Sequence, residues 1–201
     1  FVNGGFEYYQ LKKIKTITKV TKKFYKNFDN KKYKEYLNLF ELNENKKIKD
    51  LSQGMKVKYS ICLALSHNAK LLLLDEPTSG LDPISREEIL DIFLDLIKKE
   101  NISILFSTHI TSDLQRCADN IIYIKKGKII FNKNIDNLQN EYKCVRIQKN
   151  NLNKNIIKDI IGLKETKNGY EGLIKNKSLQ DNRYEYIDTN IENIITYLER
   201  G

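Results

Sequence analysis

The chain has 201 residues, of which 40% are hydrophobic, and it carries a formal net charge of +9 at pH 7. This length and apolar content are enough for one domain with a small addition. No apolar run approaches the ~20 residues that a membrane-spanning helix requires. The composition also excludes collagen-like, coiled-coil-only and disulfide-scaffold proteins.

The charge is distributed unevenly along the chain. Thirty of the 35 basic residues are lysines, whereas nucleic-acid-binding surfaces make more use of arginine, so we expect no nucleic-acid partner. Residues 71–120 form an acidic stretch with ten acidic and four basic side chains, and metal chemistry is expected there. The cysteines Cys62, Cys117 and Cys144 form no CxxC pair and are expected to be reduced, buried thiols.

In the first third of the chain, helical spacing of apolar residues predicts an amphipathic helix over residues 29–40, capped by Asp29 or Asn30. Ser52 is placed to cap a second helix, whose apolar positions recur at helical spacing. The run Leu71–Leu74 is short, apolar and bounded by polar residues, which predicts a strand buried on both faces.

The central part of the chain continues with alternating helix and strand patterns. Asp82-Pro83 is a strong helix start, and residues 102–106 predict a second buried strand. Ser112 and Gln115 have the spacing of a capping box that opens another helix. Two apolar segments joined through Gly127 then predict a hairpin.

The last sixty residues have a different pattern. Short strands are predicted at 142–147, 170–174 and 183–187, and a final helix at 191–198. Gly162, Gly169 and Gly172 mark turns between them. We expect a small α+β appendage here.

Polar motifs follow the predicted strands and open the predicted helices. The apolar strand at 71–74 delivers Asp75 and Glu76 to a sheet edge, where α/β proteins bind their ligands. The next strand delivers His109 to the same edge. Upstream, Ser52-Gln53-Gly54 at a helix start is an anion-binding arrangement, because backbone N–H groups and the helix dipole face a negative group.

In this order and spacing, the motifs resemble those of the ATP-binding subunit of an ABC transporter. The likeness is close over residues 51–131 and looser over residues 20–50. It implies that Asp75 is the Walker B aspartate, which holds Mg²⁺ through its water shell. It also implies that Glu76 is the general base that polarises the attacking water, and that His109 contacts the γ-phosphate of ATP.

The same resemblance implies a second ATPase subunit, identical or different. Its nucleotide would be contacted by the signature segment Ser52, Gln53, Gly54 and Met55. Ser79, Gly80 and Asp82 resemble the loop that couples the two nucleotide sites. The simpler interpretation is that Ser52 and Asp82 are ordinary helix caps, and both are expected to serve as caps in addition.

The sequence departs from the family pattern in two places. The signature segment usually reads Leu-Ser-Gly-Gly-Gln, but here Gln53 and Met55 replace the first Gly and the final Gln. No G-x-x-x-x-G-K-[ST] segment occurs, so the backbone cradle and the lysine that hold the β- and γ-phosphates are absent from these residues. We expect this chain to be the later part of a longer subunit and to be inactive alone.

The expected fold is therefore α/β, a partial P-loop NTPase sheet with a helical signature lobe and an α+β appendage. Residues 1–66 would form the lobe, residues 67–140 the later half of the ATPase core, and residues 141–201 an accessory domain. The intact subunit would bind ATP and Mg²⁺ and power export through a separate membrane permease. It would lie in the cytoplasm, held at the inner face of the membrane by that permease.

Three segments, at 26–29, 51–56 and 193–197, look like those of drug- and antibiotic-exporter subunits. Two other functions stay open at this point. One is an ABC protein that acts on ribosomes or DNA instead of on transport, although such proteins usually carry two cassettes in tandem. The other is a docking or regulatory module without hydrolysis, which the missing phosphate cradle favours for the isolated chain.

Overall fold

The computed structural model describes residues 2–3, 9–151, 154–175 and 182–201. It divides into two compact units, Phe1–Ile110 and Thr111–Gly201. The boundary expected after residue 66 therefore falls inside the first unit, and the one expected after residue 140 falls inside the second. The structure groups the helical lobe with the parallel sheet, and the hairpin with the C-terminal elements.

A parallel sheet forms the centre of the first unit. Its strands are β1 (Val2–Asn3), β2 (Leu71–Asp75) and β3 (Ser103–Ser107), in the order β1-β2-β3. The parallel pairing of β2 with β3 aligns Asp75 with Ser107. The two apolar runs were predicted as strands, whereas β1 was not recognised because only two of its residues pair.

Only one face of this sheet is well covered. Leu72 and Leu74 are buried, but Leu71 is 53% exposed and Leu105 is 55% exposed. The prediction that the two strands are buried on both faces is therefore wrong. The covered face owes its burial partly to Phe93, whose ring centroid lies 5.8 Å from that of Phe106. On the other face, no described residue buries Leu71 or Leu105 to a similar extent.

Among its described residues, the first unit also contains four α-helices: α1 (Ile14–Thr21), α2 (Asn30–Leu39), α3 (Gln53–Ser66) and α4 (Pro83–Glu100). The predicted caps are confirmed. Asp29 accepts hydrogen bonds from the backbone at the start of α2, Ser52 caps α3, and Asp82 caps α4. These contacts are local in sequence, which is why the pattern of residue types predicts them.

Hydroxyl groups join the first three helices at their buried sides. Thr18 Oγ1 lies 2.9 Å from the hydroxyl of Tyr33 and 2.9 Å from that of Tyr59. The Tyr59 hydroxyl also donates to the carbonyl oxygen of Ile14 over 3.3 Å. Burial raises the pKa of Tyr33 to about 12, so this phenol stays protonated near neutral pH.

The second unit begins with α5 (Thr111–Cys117), the antiparallel hairpin of β4 (Asn120–Lys125) and β5 (Lys128–Asn134), and α6 (Ile135–Glu141). The elements that follow are β6 (Tyr142–Ile147), α7 (Lys154–Asp159), β7 (Ile161–Thr166), β8 (Gly169–Lys175), β9 (Glu185–Ile187) and α8 (Ile191–Arg200). The four strands form an antiparallel sheet in the order β7-β8-β6-β9. The sequence predicted the hairpin, three of these sheet strands and α8, but not β7, α6 or α7.

The hairpin shares its core with the C-terminal helix. Ile121 and Phe131 belong to one buried cluster with Leu138, Ile191 and Ile194. This packing explains why the chain divides after Ile110 and not after residue 140. Of the helices that the structure describes, none is both long and apolar enough to cross a membrane.

Two smaller expectations have different outcomes. The capping box at Ser112 is wrong, because α5 already begins at Thr111 and Ser112 lies inside it. The three cysteines are free, as expected, and Cys62 and Cys144 are buried while Cys117 is half-buried. Burial raises the pKa of Cys62 to about 12, which keeps it a neutral thiol.

Candidate functional site

The carboxyl ends of β2 and β3 bring two polar segments together. Ser107 Oγ lies 2.5 Å from Asp75 Oδ1 and donates its proton to that carboxylate. The same oxygen accepts a hydrogen bond of 3.0 Å from the backbone N–H of Glu76. Ser107 therefore uses its one donor on Asp75 and an acceptor on Glu76, and it fixes the two acidic residues relative to β3.

Sequence reasoning did not assign a role to Ser107. A signal was present, because each strand is five residues long and ends on the first residue of its polar motif. The parallel register then pairs Asp75 with Ser107. The motif pattern drew attention to His109 instead, two residues further along the chain.

Next to the hydrogen bonds made by Ser107, the side chains of Glu76 and His109 are in contact. His109 Nδ1 lies 2.9 Å from Glu76 Oε2, and the His109 side chain is 70% exposed. The Glu76 Oε2 atom is buried and accepts no well-aligned hydrogen bond from a described residue, so the two side chains are in close contact without a linear hydrogen bond. The predicted proximity of Asp75, Glu76 and His109 at one sheet edge is confirmed.

The backbone at Glu76 adopts a conformation that non-glycine residues rarely adopt. Its φ angle is 46°, in the left-handed region. This angle turns the chain sharply where β2 ends, and the hydrogen bonds from Glu76 N to Ser107 hold the turn. Backbone strain of this kind is often found at functional sites.

The acidic edge fits a magnesium ion that is held largely by a nucleotide. Among the described residues there is no group of three or more His, Cys, Asp or Glu side chains arranged to bind a metal. Mg²⁺, however, usually takes one or two protein carboxylates and completes its shell with phosphate oxygens and water. Asp75 is exposed and uses only Oδ1 in its hydrogen bond with Ser107, so Oδ2 could serve this purpose.

A tight turn connects this edge to α4. Ser79 donates its backbone N–H to the carbonyl oxygen of Glu76 over 3.1 Å, and Gly80 has a φ of 71°. Asp82 Oδ1 accepts from the N–H groups of Ile84 and Ser85, and Oδ2 accepts from the Ser85 hydroxyl over 2.6 Å. That hydroxyl lowers the pKa of Asp82, and both carboxylate oxygens are used within the chain.

The signature segment opens α3. Ser52 and Gln53 are exposed, and Ser52 Oγ accepts the Met55 N–H over 3.1 Å. A helix start that binds an anion from outside the chain predicts that Ser52 and Gly54 are both exposed, and for Gly54 this prediction is wrong, because Gly54 is buried. A Cβ atom at Gly54 would lie 3.3 Å from Ser85 Cβ, so glycine allows the start of α3 to pack closely against the first turn of α4.

Ser107→Ala is expected to lower the free energy of unfolding of the first unit by about 1 kcal/mol, because it removes the hydroxyl that bonds both Asp75 and Glu76. Urea denaturation followed by circular dichroism measures the change. Ser103→Ala is the matched control, since Ser103 lies exposed on the same strand. Equal effects of the two substitutions would show that the Ser107 hydroxyl does not support the site.

One family model matches more than half of the chain. It covers residues 4–112 and is described as "AAA domain, putative AbiEii toxin, Type IV TA system". Its limit lies close to the end of the first structural unit at Ile110. The match therefore belongs to the unit that carries the acidic sheet edge and the signature helix.

Curated relatives are ATP-binding proteins of transporters. The chain is 41% identical over 97 residues to the lantibiotic transport ATP-binding protein SrtF of Streptococcus pyogenes, which is 48% of this chain and 42% of that protein. It is 37% identical over 117 residues to the bacitracin transport ATP-binding protein BcrA of Bacillus licheniformis, which is 57% of this chain and 38% of that protein. The chain thus matches less than half the length of these relatives.

Solved structures share the fold. An ABC transporter assigned to the metal-chelate type, in an inward-facing conformation, has a TM-score of 0.61 at 19% identity and covers 88% of this chain and 72% of that one. An ATP-binding subunit of an ABC transporter has a TM-score of 0.55 at 24% identity and covers 65% of this chain and 56% of that one. The fold is that of the ABC ATPase cassettes.

Proposed function

Because this chain belongs to the AAA-domain family and is related to the ATP-binding proteins of ABC transporters, we propose that it carries the hydrolytic edge of an ATPase subunit. That subunit would power export through a separate membrane permease. One observation carries the proposal: Glu76 and His109 lie 2.9 Å apart, directly beside Asp75, at the carboxyl ends of parallel strands.

Each group at this edge has a distinct part in hydrolysis. Glu76 accepts the proton of the attacking water, and the contact with His109 orients its carboxylate. His109 is exposed enough to reach a phosphate oxygen. Asp75 would hold Mg²⁺ through water, and the ion, when bound, neutralises charge on the phosphates.

A second subunit, identical or different, completes the site in this proposal. The start of α3, with Ser52, Gln53, Gly54 and Met55, would face the nucleotide bound to that subunit, since a helix N-terminus attracts anions. The turn with Ser79, Gly80 and Asp82 would link the two nucleotide sites. The burial of Gly54 against Ser85 supports this coupling, because a movement of the turn would displace the start of α3 through this contact.

The reading frame that encodes this chain tests the proposal first. We expect it to encode a G-x-x-x-x-G-K-[ST] segment ahead of Phe1, since this segment binds the β- and γ-phosphates. The subunit with that segment should hydrolyse ATP in the presence of Mg²⁺, and the 201-residue chain alone should not. A reading frame without the segment would instead support a docking module that does not hydrolyse ATP.

Mixing two inactive variants of that subunit tests the shared site. Ser52→Arg blocks the signature segment and Glu76→Gln removes the base, so each variant alone should be nearly inactive. A mixed dimer joins the intact Glu76 of one subunit with the intact Ser52 of the other, and ATPase activity should return in part. If mixing restores no activity, the signature segment does not serve a second subunit.

A further inference from the structure

A Lys-rich segment precedes and includes the first helix. Residues 9–28 contain seven lysines and no acidic residue, and all seven lysines are exposed. We propose that this segment forms a surface that binds anionic lipid headgroups at a membrane. This Lys-rich surface consists of Leu11, Lys12, Lys13, Lys15, Lys19, Val20, Lys22, Lys23, Phe24 and Lys26.

The helix α1 has an inner and an outer side. Ile14, Ile17 and Thr18 face inward and are buried, and the Thr18 hydroxyl bonds to two tyrosines of the lobe. The outer side carries Lys15 and Lys19, and the same four-residue interval continues to Lys23 in the short 3-10 helix that follows. These three lysines therefore lie on the same outer side.

Apolar side chains stand among these lysines. Phe24 is 79% exposed, Leu11 is 69% exposed and Val20 is 54% exposed. The described residues of the first unit leave them exposed, although burial of each apolar side chain would lower the free energy. Exposed apolar groups surrounded by lysines are typical of segments that lie in the membrane interface, where the apolar groups enter the acyl boundary and the lysines contact headgroups.

The positive charge of this surface is not balanced by ion pairs with the described residues. None of the seven lysines forms an ion pair with a residue that the structure describes, whereas Lys34, elsewhere in the same lobe, pairs with Glu44 over 2.9 Å. The charge is thus available to an external anion. A cluster of four to eight lysines or arginines is the pattern that binds anionic lipids.

The end of the surface is held in place by an aromatic stack. The rings of Tyr25 and His67 are parallel, with centroids 3.9 Å apart. Burial lowers the pKa of His67, so the imidazole is neutral at pH 7 and adds no charge. The stack anchors Tyr25, the residue that follows Phe24, and this reduces the entropy that binding would cost.

A lipid surface fits these residues better than a nucleic acid does. The segment contains no arginine, the residue that stacks on bases and binds phosphates through two hydrogen bonds. Its most exposed apolar groups include the aliphatic Leu11 and Val20, which have no flat ring for base stacking. The surface would act in this way whether or not the chain takes part in ATP hydrolysis.

The first experiment uses tryptophan as a reporter, since the natural chain contains none. Phe24→Trp is mixed with vesicles of phosphatidylcholine and phosphatidylglycerol in equal parts. Its emission should shift to the blue, and acrylamide should quench it less. Tyr186→Trp, at an exposed position of the second unit, is the control and should change little. No shift at position 24, or equal shifts at both positions, would overturn the proposal.

The second experiment reverses charge on the surface. Lys19→Glu with Lys23→Glu should weaken sedimentation with the anionic vesicles at least ~10-fold, since each lysine near such a surface contributes about fivefold. Lys158→Glu with Lys167→Glu makes the same charge change at exposed sites of the second unit and should have little effect. Circular dichroism verifies that both variants are folded.

The choice between lipid and nucleic acid is part of the same test. Binding of the unaltered chain to phosphatidylcholine alone should be weak, and salt should weaken its binding to anionic vesicles. Equal binding to neutral vesicles would overturn the role of charge. Tighter binding to single-stranded RNA than to anionic vesicles, lost in the Lys19 and Lys23 variant, would assign the surface to nucleic acid and overturn the proposal.

Discussion

Glu76→Gln is expected to reduce the ATPase rate by about 10²–10⁴-fold in the subunit that supplies the phosphate-binding segment, with ATP binding retained. Glutamine keeps the shape of the side chain and can still contact His109 Nδ1, now 2.9 Å from Glu76 Oε2. It has no negative charge with which to accept a proton from water. Phosphate release measures the rate, and ATP should trap a dimer that size-exclusion chromatography resolves.

Glu41→Gln provides a close control. Glu41 is exposed and has a φ of 54°, so it shares both the residue type and the left-handed backbone of Glu76. It should leave the ATPase rate unchanged. Hydrolysis that survives Glu76→Gln at a rate similar to that of Glu41→Gln would mean that the base lies elsewhere.

Gly162→Ala is expected to destabilise the second unit by about 3–5 kcal/mol. Gly162 has a φ of 67°, and a Cβ atom there would lie 2.1 Å from the carbonyl oxygen of Tyr197 in α8. Because that neighbour is backbone, relief of the clash requires α8 to move away from β7. Urea denaturation followed by circular dichroism should therefore show an early transition of the second unit.

Gly127→Ala is the control that separates the steric clash of a new Cβ atom from the strain of a positive φ angle. Gly127 has a φ of 73°, and nothing lies within 4 Å of a Cβ atom placed there. This substitution should cost only about 1 kcal/mol, the strain of a left-handed alanine. If the two alanine variants have equal stability, close packing between β7 and α8 is not what requires glycine at position 162.

The centre of the candidate site could be predicted because it depends on one rule of sheet geometry. Parallel strands end at the same edge, so Asp75, Glu76 and His109 had to lie near one another once both apolar runs formed neighbouring strands. The role of Ser107 depends on strand register, which no single strand reveals. The burial of Gly54 depends on where α4 packs, and the sequence of the signature segment alone does not predict that packing.

The fold was predictable to a similar extent and for similar reasons. Caps such as Asp29 and Asp82 act within a few residues and were found. The strand β7 was missed because its sequence around Gly162 contains a register shift and no regular alternation. The exposure of Leu71 could not be foreseen, because an apolar run indicates what can be buried and not whether another element covers it.

In the hydroxyl cluster among α1, α2 and α3, each group has a fixed role as hydrogen-bond donor or acceptor. Tyr59 gives its proton to the Ile14 carbonyl, so it can only accept from Thr18. Thr18 has then used its single proton, and Tyr33 must donate to it. Only one arrangement of the protons is therefore possible: Tyr33 of α2 donates to Thr18 of α1, Thr18 donates to Tyr59 of α3, and Tyr59 donates to the backbone of α1. Such a chain of hydrogen bonds favours one alignment of the three helices, because any other alignment would leave a buried hydroxyl without a partner.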